Sequence, residues 1–233
     1  MKKKQLIYSW SIQDYIKFVE KSSHPLIRNY EQAELDYLLD NIKSPKNKTF
    51  VDIGAGYGRV LPALTKIARS VIGVEINDEM FQELQKRTAK FSNAVAVKGD
   101  ANKLSNILTG CDLVNPVLVC LQNSIGTWEG DYKKAIEEMG KVAKEKHGEV
   151  IISAWRGELF KDYAVKIYSA ISFIGEPDLE RTNFDRGIYV GKSGYKVYWW
   201  SPEQREEILR MLGGRKVNEV LGTPFFILHV AYN

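Results

Sequence analysis

The sequence predicts an α/β protein, with a mostly parallel sheet between helices and an antiparallel pair at its end. Three observations point there. From residue 49 onward, short β-branched runs alternate with stretches of helical period, the pattern of successive strand–helix–strand units. The first run, Thr49-Phe50-Val51-Asp52-Ile53, leads directly into a bend with glycines at 54, 56 and 58. Near the end, the runs Lys216 to Leu221 and Phe225 to Val230 are separated only by Gly222-Thr223-Pro224, which suits a closing antiparallel pair.

Taken in order, residues 11 to 43 read as helical, broken near Ser22-Ser23-His24-Pro25. In the second of these helices Leu26, Tyr30, Ala33, Tyr37 and Leu38 recur at helical spacing. Glu31, Glu34, Asp36 and Asp40 fall among the polar positions. The first strand and its glycine bend open a helix from Arg59 to about Arg69. The second strand is Val71-Ile72-Gly73-Val74-Glu75, and Asn77 can cap the helix that follows. The third is Ala94-Val95-Ala96-Val97-Lys98, ending at Gly99-Asp100. The fourth spans roughly 113 to 121, with a helix from about Trp128 to Lys146, and the fifth is Glu149 to Trp155. Residues 158 to 172 read as another helix. Two aromatic-rich segments, 187–190 and 195–200, then flank Gly191-Lys192-Ser193-Gly194, which suits a hairpin. Ser201-Pro202-Glu203-Gln204 carries the N-cap serine and first-turn proline of a further helix, which stops at Gly213-Gly214.

Composition narrows the function classes. The 233 residues are 44% hydrophobic and 27% charged, ordinary values for a globular chain of one α/β domain. Apart from Lys2-Lys3-Lys4, the residues behind the net charge of +4 are dispersed along the chain. Nucleic-acid binding usually shows a clustered basic face, so a small-molecule partner is expected ahead of a nucleic acid. Its two cysteines, Cys111 and Cys120, are too few for a disulfide framework. Neither stands at metal-ligand spacing, so no metal site is expected, and the setting expected is reducing and cytoplasmic. Lys2-Lys3-Lys4 resembles the front of a signal peptide, but Gln5, Ser9, Ser11, Gln13 and Asp14 interrupt any apolar stretch. No run approaches the roughly 18 apolar residues of a membrane span. His24, His147 and His229 share no spacing, and His229, inside an apolar strand, reads as a core histidine.

The chemistry is concentrated at 52 to 58. Alternating glycines let the chain bend sharply and let a ligand approach without Cβ interference, at the strand end where open α/β sheets bind ligands. A dinucleotide fold is the natural competitor, but its Gly-x-Gly-x-x-Gly fingerprint requires a glycine where Arg59 stands. Asp52 would also repel a pyrophosphate and welcome an ammonium group. Arg59 either pairs with a carboxylate near the helix start or points to solvent.

Asp52-Ile53-Gly54-Ala55-Gly56-Tyr57-Gly58 resembles the first motif of class I S-adenosylmethionine-dependent methyltransferases, an acidic residue before Gly-x-Gly-x-Gly. The order of elements from 49 to 233, about four-fifths of the chain, is similar to that family too. The resemblance implies a three-layer αβα sandwich with a seven-stranded, mostly parallel sheet whose last strand is antiparallel. It implies a methyltransferase domain over 48–233, with residues 1–47 as a helical cap and about 156–200 as a lid insertion. It implies that Asp52, Gly54, Ala55, Gly56, Gly58 and Gln122 hold the cofactor S-adenosylmethionine. In the same scheme Glu75 accepts from the ribose hydroxyls, Ile76 faces adenine, and Asp100 with Ala101 reads the adenine edge. Asn123-Ser124 resembles the segment beside the methyl group in small-molecule N- and O-methyltransferases, which makes both residues catalytic candidates, although either can simply cap a helix. Trp10, Tyr15, Trp155 and Trp199 are the candidates to line an aromatic acceptor pocket. The partner expected is a small-molecule methyl acceptor, with no membrane. A methyltransferase of RNA or protein, and a non-catalytic cofactor-binding domain, are the alternatives.

Overall fold

The computed structural model describes residues 12–20, 24–128, 131–171 and 174–232. Two helices come first, α1 (Ile12–Glu20) and α2 (Pro25–Asn41). There follow β1 (Thr49–Ile53), α3 (Leu61–Ile67), β2 (Ser70–Glu75), α4 (Asp78–Thr88) and β3 (Ala94–Lys98). A short α5 (Leu104–Ile107) leads to β4 (Val117–Cys120), α6 (Tyr132–Glu145) and β5 (Glu149–Trp155). The remainder is α7 (Phe160–Ser169), the hairpin β6 (Ile188–Val190) and β7 (Lys196–Tyr198), α8 (Pro202–Leu212), β8 (Arg215–Leu221) and β9 (Phe225–Ala231).

Seven strands form one sheet in the order β3-β2-β1-β4-β5-β9-β8, and β6-β7 form a separate ribbon. β9 runs antiparallel to both its neighbours, while the other pairs in the sheet are parallel. The sequence expectation of a mixed sheet with one reversed strand therefore holds. The short α5 was not foreseen, because its four residues carry too little periodicity to register.

Strand alternation divides the core into two layers. Val51, Ile53, Leu118, Cys120, Val150 and Ile152 point to the face covered by α6 and α8, through Ile136, Met139, Ile208 and Leu212. Phe50, Val117, Val119 and Ile151 point to the opposite face, covered by α2, α3 and α7. Asp52 shares the side of Phe50, so its carboxylate emerges beneath α2. That helix was read with Glu31 and Glu34 on a polar side. Instead Ile27, Tyr30, Glu34, Tyr37 and Leu38 form the buried stripe, and Glu34 is 1% exposed. The caps match the sequence more closely: the Asn77 side chain accepts from Glu79 and Met80 N–H, and Ser201 with Gln204 forms a capping box.

Candidate cofactor and acceptor site

A cleft of about 220 Å³ opens at the carboxyl ends of β1, β2, β4 and β5. Its walls run from Glu75, Ile76 and Asn77 at the tip of β2, past the glycine bend, to Trp155 at the tip of β5. Three strand spacings separate those tips, about 14 Å along the sheet. The cleft is thus long enough to offer two ends of different chemistry.

The β2 end is shaped by backbone. Gly56 adopts φ +56°, and a Cβ built there would meet no atom within 4 Å, so it would stand in the open cleft. Gly58, at φ +86°, is confined differently: its Cβ would lie 2.9 Å from Leu84 Cδ1. Glu75, 7% exposed, closes this end by accepting the Gly56 N–H at 2.8 Å and the Asn77 N–H at 2.7 Å. Burial pushes its carboxyl above the usual range, against those backbone donors. Each carboxylate oxygen retains a further lone pair for a ligand donor. Beside it Ile76 is 48% exposed, an apolar side chain on a cleft wall.

Asp52 is 6% exposed, lines the cleft, and receives no hydrogen bond among the described residues. Burial raises its pKa to about 7; Arg59 opposes that shift, and the negative charges of Glu34 and Glu75 reinforce it. Arg59 is not free to neutralise it, because its Nη2 donates to Glu34 Oε2 at 2.5 Å.

Glu34 ties α2 to three parts of the site. Besides Arg59, its carboxylate accepts the Gln122 N–H at 2.5 Å and the Ser153 hydroxyl. Glu31, one turn earlier, accepts from the Gln122 side chain at 2.6 Å. These contacts hold Gln122 (φ 52°) and Asn123 (φ 57°), both left-handed, at the end of β4. Asn123 is 1% exposed and its amide is used within the protein. Its Oδ1 accepts from Trp155 N–H and Trp200 Nε1 at 3.3 and 3.2 Å, and its Nδ2 donates to the Tyr198 carbonyl at 3.2 Å. The side chain thus neither caps a helix nor presents a free amide, and it joins β4, β5 and the segment after β7. Ser124 lines the cleft and donates to the Leu121 carbonyl at 2.8 Å.

The β5 end is apolar and aromatic, walled by Trp155, Ile167, Tyr168, Ile171, Tyr195 and Val197. Burial raises the Tyr168 and Tyr195 hydroxyl pKa values, which keeps both protonated. Tyr15 of α1 also lines the cleft.

Of the residues named from the sequence, Asp52, Gly54, Ala55, Gly56, Glu75, Ile76, Gln122, Asn123, Ser124, Tyr15 and Trp155 all line the cleft. Gly58 stands behind the bend, against Leu84. Asp100 and Ala101 follow β3, where Asp100 accepts the Asn102 N–H at 2.9 Å, and neither lines the cleft described. Trp199 is 1% exposed and stacks behind Trp155 at 5.3 Å, so it supports the wall instead of forming it. Trp10 lies outside the described residues. Sequence reasoning missed Glu34, Glu31, Tyr57, Tyr168 and Tyr195. For Glu34 a signal existed, since its spacing from Ile27, Tyr30 and Tyr37 places it on the buried stripe. Arg59 resolves to the paired alternative, with its partner on α2. Among the described residues no group of His, Cys, Asp and Glu could hold a metal, and no helix is long and apolar enough to cross a membrane.

Residues 50–146 match the family model described as a methyltransferase domain. No curated protein matches the chain by sequence. Solved structures share its fold. One is an S-adenosylmethionine-dependent methyltransferase from Aquifex aeolicus, 18% identical over 96% of this chain and 100% of that one, TM-score 0.57. Another, from Clostridium acetobutylicum, is 11% identical over 95% and 97%, TM-score 0.61. The magnesium protoporphyrin IX methyltransferase of Synechocystis, solved with bound S-adenosylhomocysteine, is 12% identical over 95% and 94%, TM-score 0.60. Residues 50–146 are thus similar to a methyltransferase domain, and the chain has the fold of these S-adenosylmethionine-dependent methyltransferases.

Proposed function

We propose that the chain transfers a methyl group from S-adenosylmethionine to a nitrogen or oxygen of a small-molecule acceptor in the cytoplasm. The observation that carries this reading is the single cleft with two chemically distinct ends. The β2 end fits an adenosyl group: a Cβ-free bend at Gly56, the Glu75 carboxylate with spare acceptor capacity, and the exposed side of Ile76. Gly54, Ala55 and Gln122 shape its middle, and the adenine edge is assigned to Asp100 and Ala101, which follow β3 outside the cleft walls. The β5 end, lined by Trp155, Tyr168 and Tyr195, suits a compact acceptor with an apolar or planar body.

The cofactor brings a methyl group already activated on a sulfonium. The protein's task is then positioning, since in-line attack needs the nucleophile about 3–3.5 Å from the carbon. Ser124 and the Gln122–Asn123 turn lie between the two ends, and the Glu34 network holds that turn rigid from α2. We assign residues 1–47 as a cap and about 156–200 as an insertion because α2 and α7 both contribute walls. Aromatic and aliphatic side chains from these parts exclude water around the reacting atoms.

The test is a labelled-methyl transfer screen against metabolite and RNA extracts. Label in small molecules that saturates with acceptor supports the reading. Label only in RNA or protein overturns the small-molecule assignment, and cofactor binding with no turnover on any extract overturns catalysis.

A further inference from the structure

Asp52 poses a problem that the rest of the site does not solve. Its carboxylate is 6% exposed, faces the cleft, and has no hydrogen-bond donor among the described residues. Two neighbouring elements add negative charge. Glu34 approaches from α2 and Glu75 from the tip of β2. Among the described residues the cation that acts on it, Arg59, is paired with Glu34 at 2.5 Å. Glu75 is compensated by two backbone N–H groups, whereas Asp52 is not. A buried carboxylate without donors is costly in its charged form, and holding a proton or receiving a cation relieves that cost.

Resting on the cofactor reading above, we propose that Asp52 carries a proton in the empty site and exchanges it for the positive charge of the methyl donor. This exchange lets the site tell donor from product. S-adenosylmethionine has a sulfonium, an ammonium and a carboxylate, net charge +1, while its demethylated product lacks the sulfonium charge and is net zero. Entry of the donor drives the O–H proton of Asp52 to bulk buffer and leaves a carboxylate beside the cationic ligand, so charge and atoms balance. The product brings the same ammonium and carboxylate but no sulfonium, so its entry gives less drive to ionise Asp52. The burial-raised pKa of about 7 places this exchange in the physiological range. Because a proton leaves on binding, donor affinity rises with pH below about 7 and levels off above it.

The experiment is calorimetric titration of the full chain with S-adenosylmethionine and with S-adenosylhomocysteine, in two buffers of different ionisation enthalpy, from pH 6 to 8. At pH 6 the donor should release close to one proton and the product clearly less. Asp52→Asn should abolish the difference and lower the donor-to-product affinity ratio about tenfold at pH 8, the scale of one carboxylate–cation interaction in a partly buried site. Retained product binding by Asp52→Asn serves as its own check of folding. Should that variant lose product binding, the wild-type comparison of proton release still decides. Equal proton release by the two ligands, or an unchanged affinity ratio in Asp52→Asn, overturns the exchange. If neither ligand binds the wild type, the cofactor reading itself fails, a result distinct from binding without proton release.

Discussion

Substituting Gly56 and Gly58 separately by alanine asks whether the glycine bend serves a ligand or only the fold. Both residues sit at positive φ, where a Cβ costs about 1–2 kcal/mol. For Gly56→Ala that strain is the whole structural cost, because the new Cβ finds no neighbour within 4 Å. In a chain of this size it lowers Tm by roughly 2–8 °C. For Gly58→Ala the methyl also meets Leu84 Cδ1 at 2.9 Å and must displace it, adding about 1–3 kcal/mol for overpacking. The order of binding defects is the reverse. The Gly56 methyl projects into the space assigned to the ligand and next to the N–H that Glu75 accepts. Gly56→Ala should therefore weaken S-adenosylhomocysteine by at least about tenfold, the effect of 1.4 kcal/mol, while Gly58→Ala, where folded, should weaken it less. Urea denaturation measures the first quantity and calorimetry the second. If Gly56→Ala binds the ligand like the wild type, the bend is a structural turn and the argument from open space is refuted.

Other substitutions separate support from contact. Glu34→Ala strands Arg59 and removes the acceptor for Gln122 N–H and Ser153, so stability should fall by about 3–5 kcal/mol in urea denaturation. A loss under about 1 kcal/mol would show that the network is not formed. Trp155→Phe should raise the acceptor KM and leave cofactor affinity unchanged. Trp199→Phe, which removes the indole N–H that donates to Tyr168 at 3.0 Å, should lower stability with little change in KM. Burial raises the Glu158 pKa, but the ion pairs with Arg205 and Arg156 outweigh it and hold that carboxyl at about 2. Its folded pKa lies below the unfolded value, so its stabilisation is present above about pH 4.5 and is lost between there and pH 2. Glu158→Gln should flatten that part of the acid-denaturation curve.

What the sequence disclosed was whatever has a short-range signature. β1 and its bend were legible because glycines alternate next to a β-branched run, and α8 because Ser201 and Pro202 are an N-cap serine and a first-turn proline. Asp52 and Glu75 were legible because a strand end in an open sheet faces the ligand crevice. The Glu34 network was not, since it joins residues as distant as Glu34 and Ser153 and exists only once α2 lies over the strand tips. Asn123 shows a related limit. Beside a predicted helix start it looked like a cap or a catalytic amide, and only the folded chain brings Trp155, Tyr198 and Trp200 within its reach. Trp199 shows the limit for aromatics: neighbouring tryptophans at 155 and 199 divide into wall and backing through packing that no local pattern records.

The account stands on Glu75 and the Gly56 bend holding an adenosyl ligand, and calorimetry tests this directly. Wild type, titrated in turn with S-adenosylhomocysteine and NADH, should bind the first and not the second. Glu75→Ala should weaken the first by about 1–3 kcal/mol, the range for losing buried hydrogen bonds. NADH binding, or a Glu75→Ala variant that binds S-adenosylhomocysteine as tightly as the wild type, would contradict it.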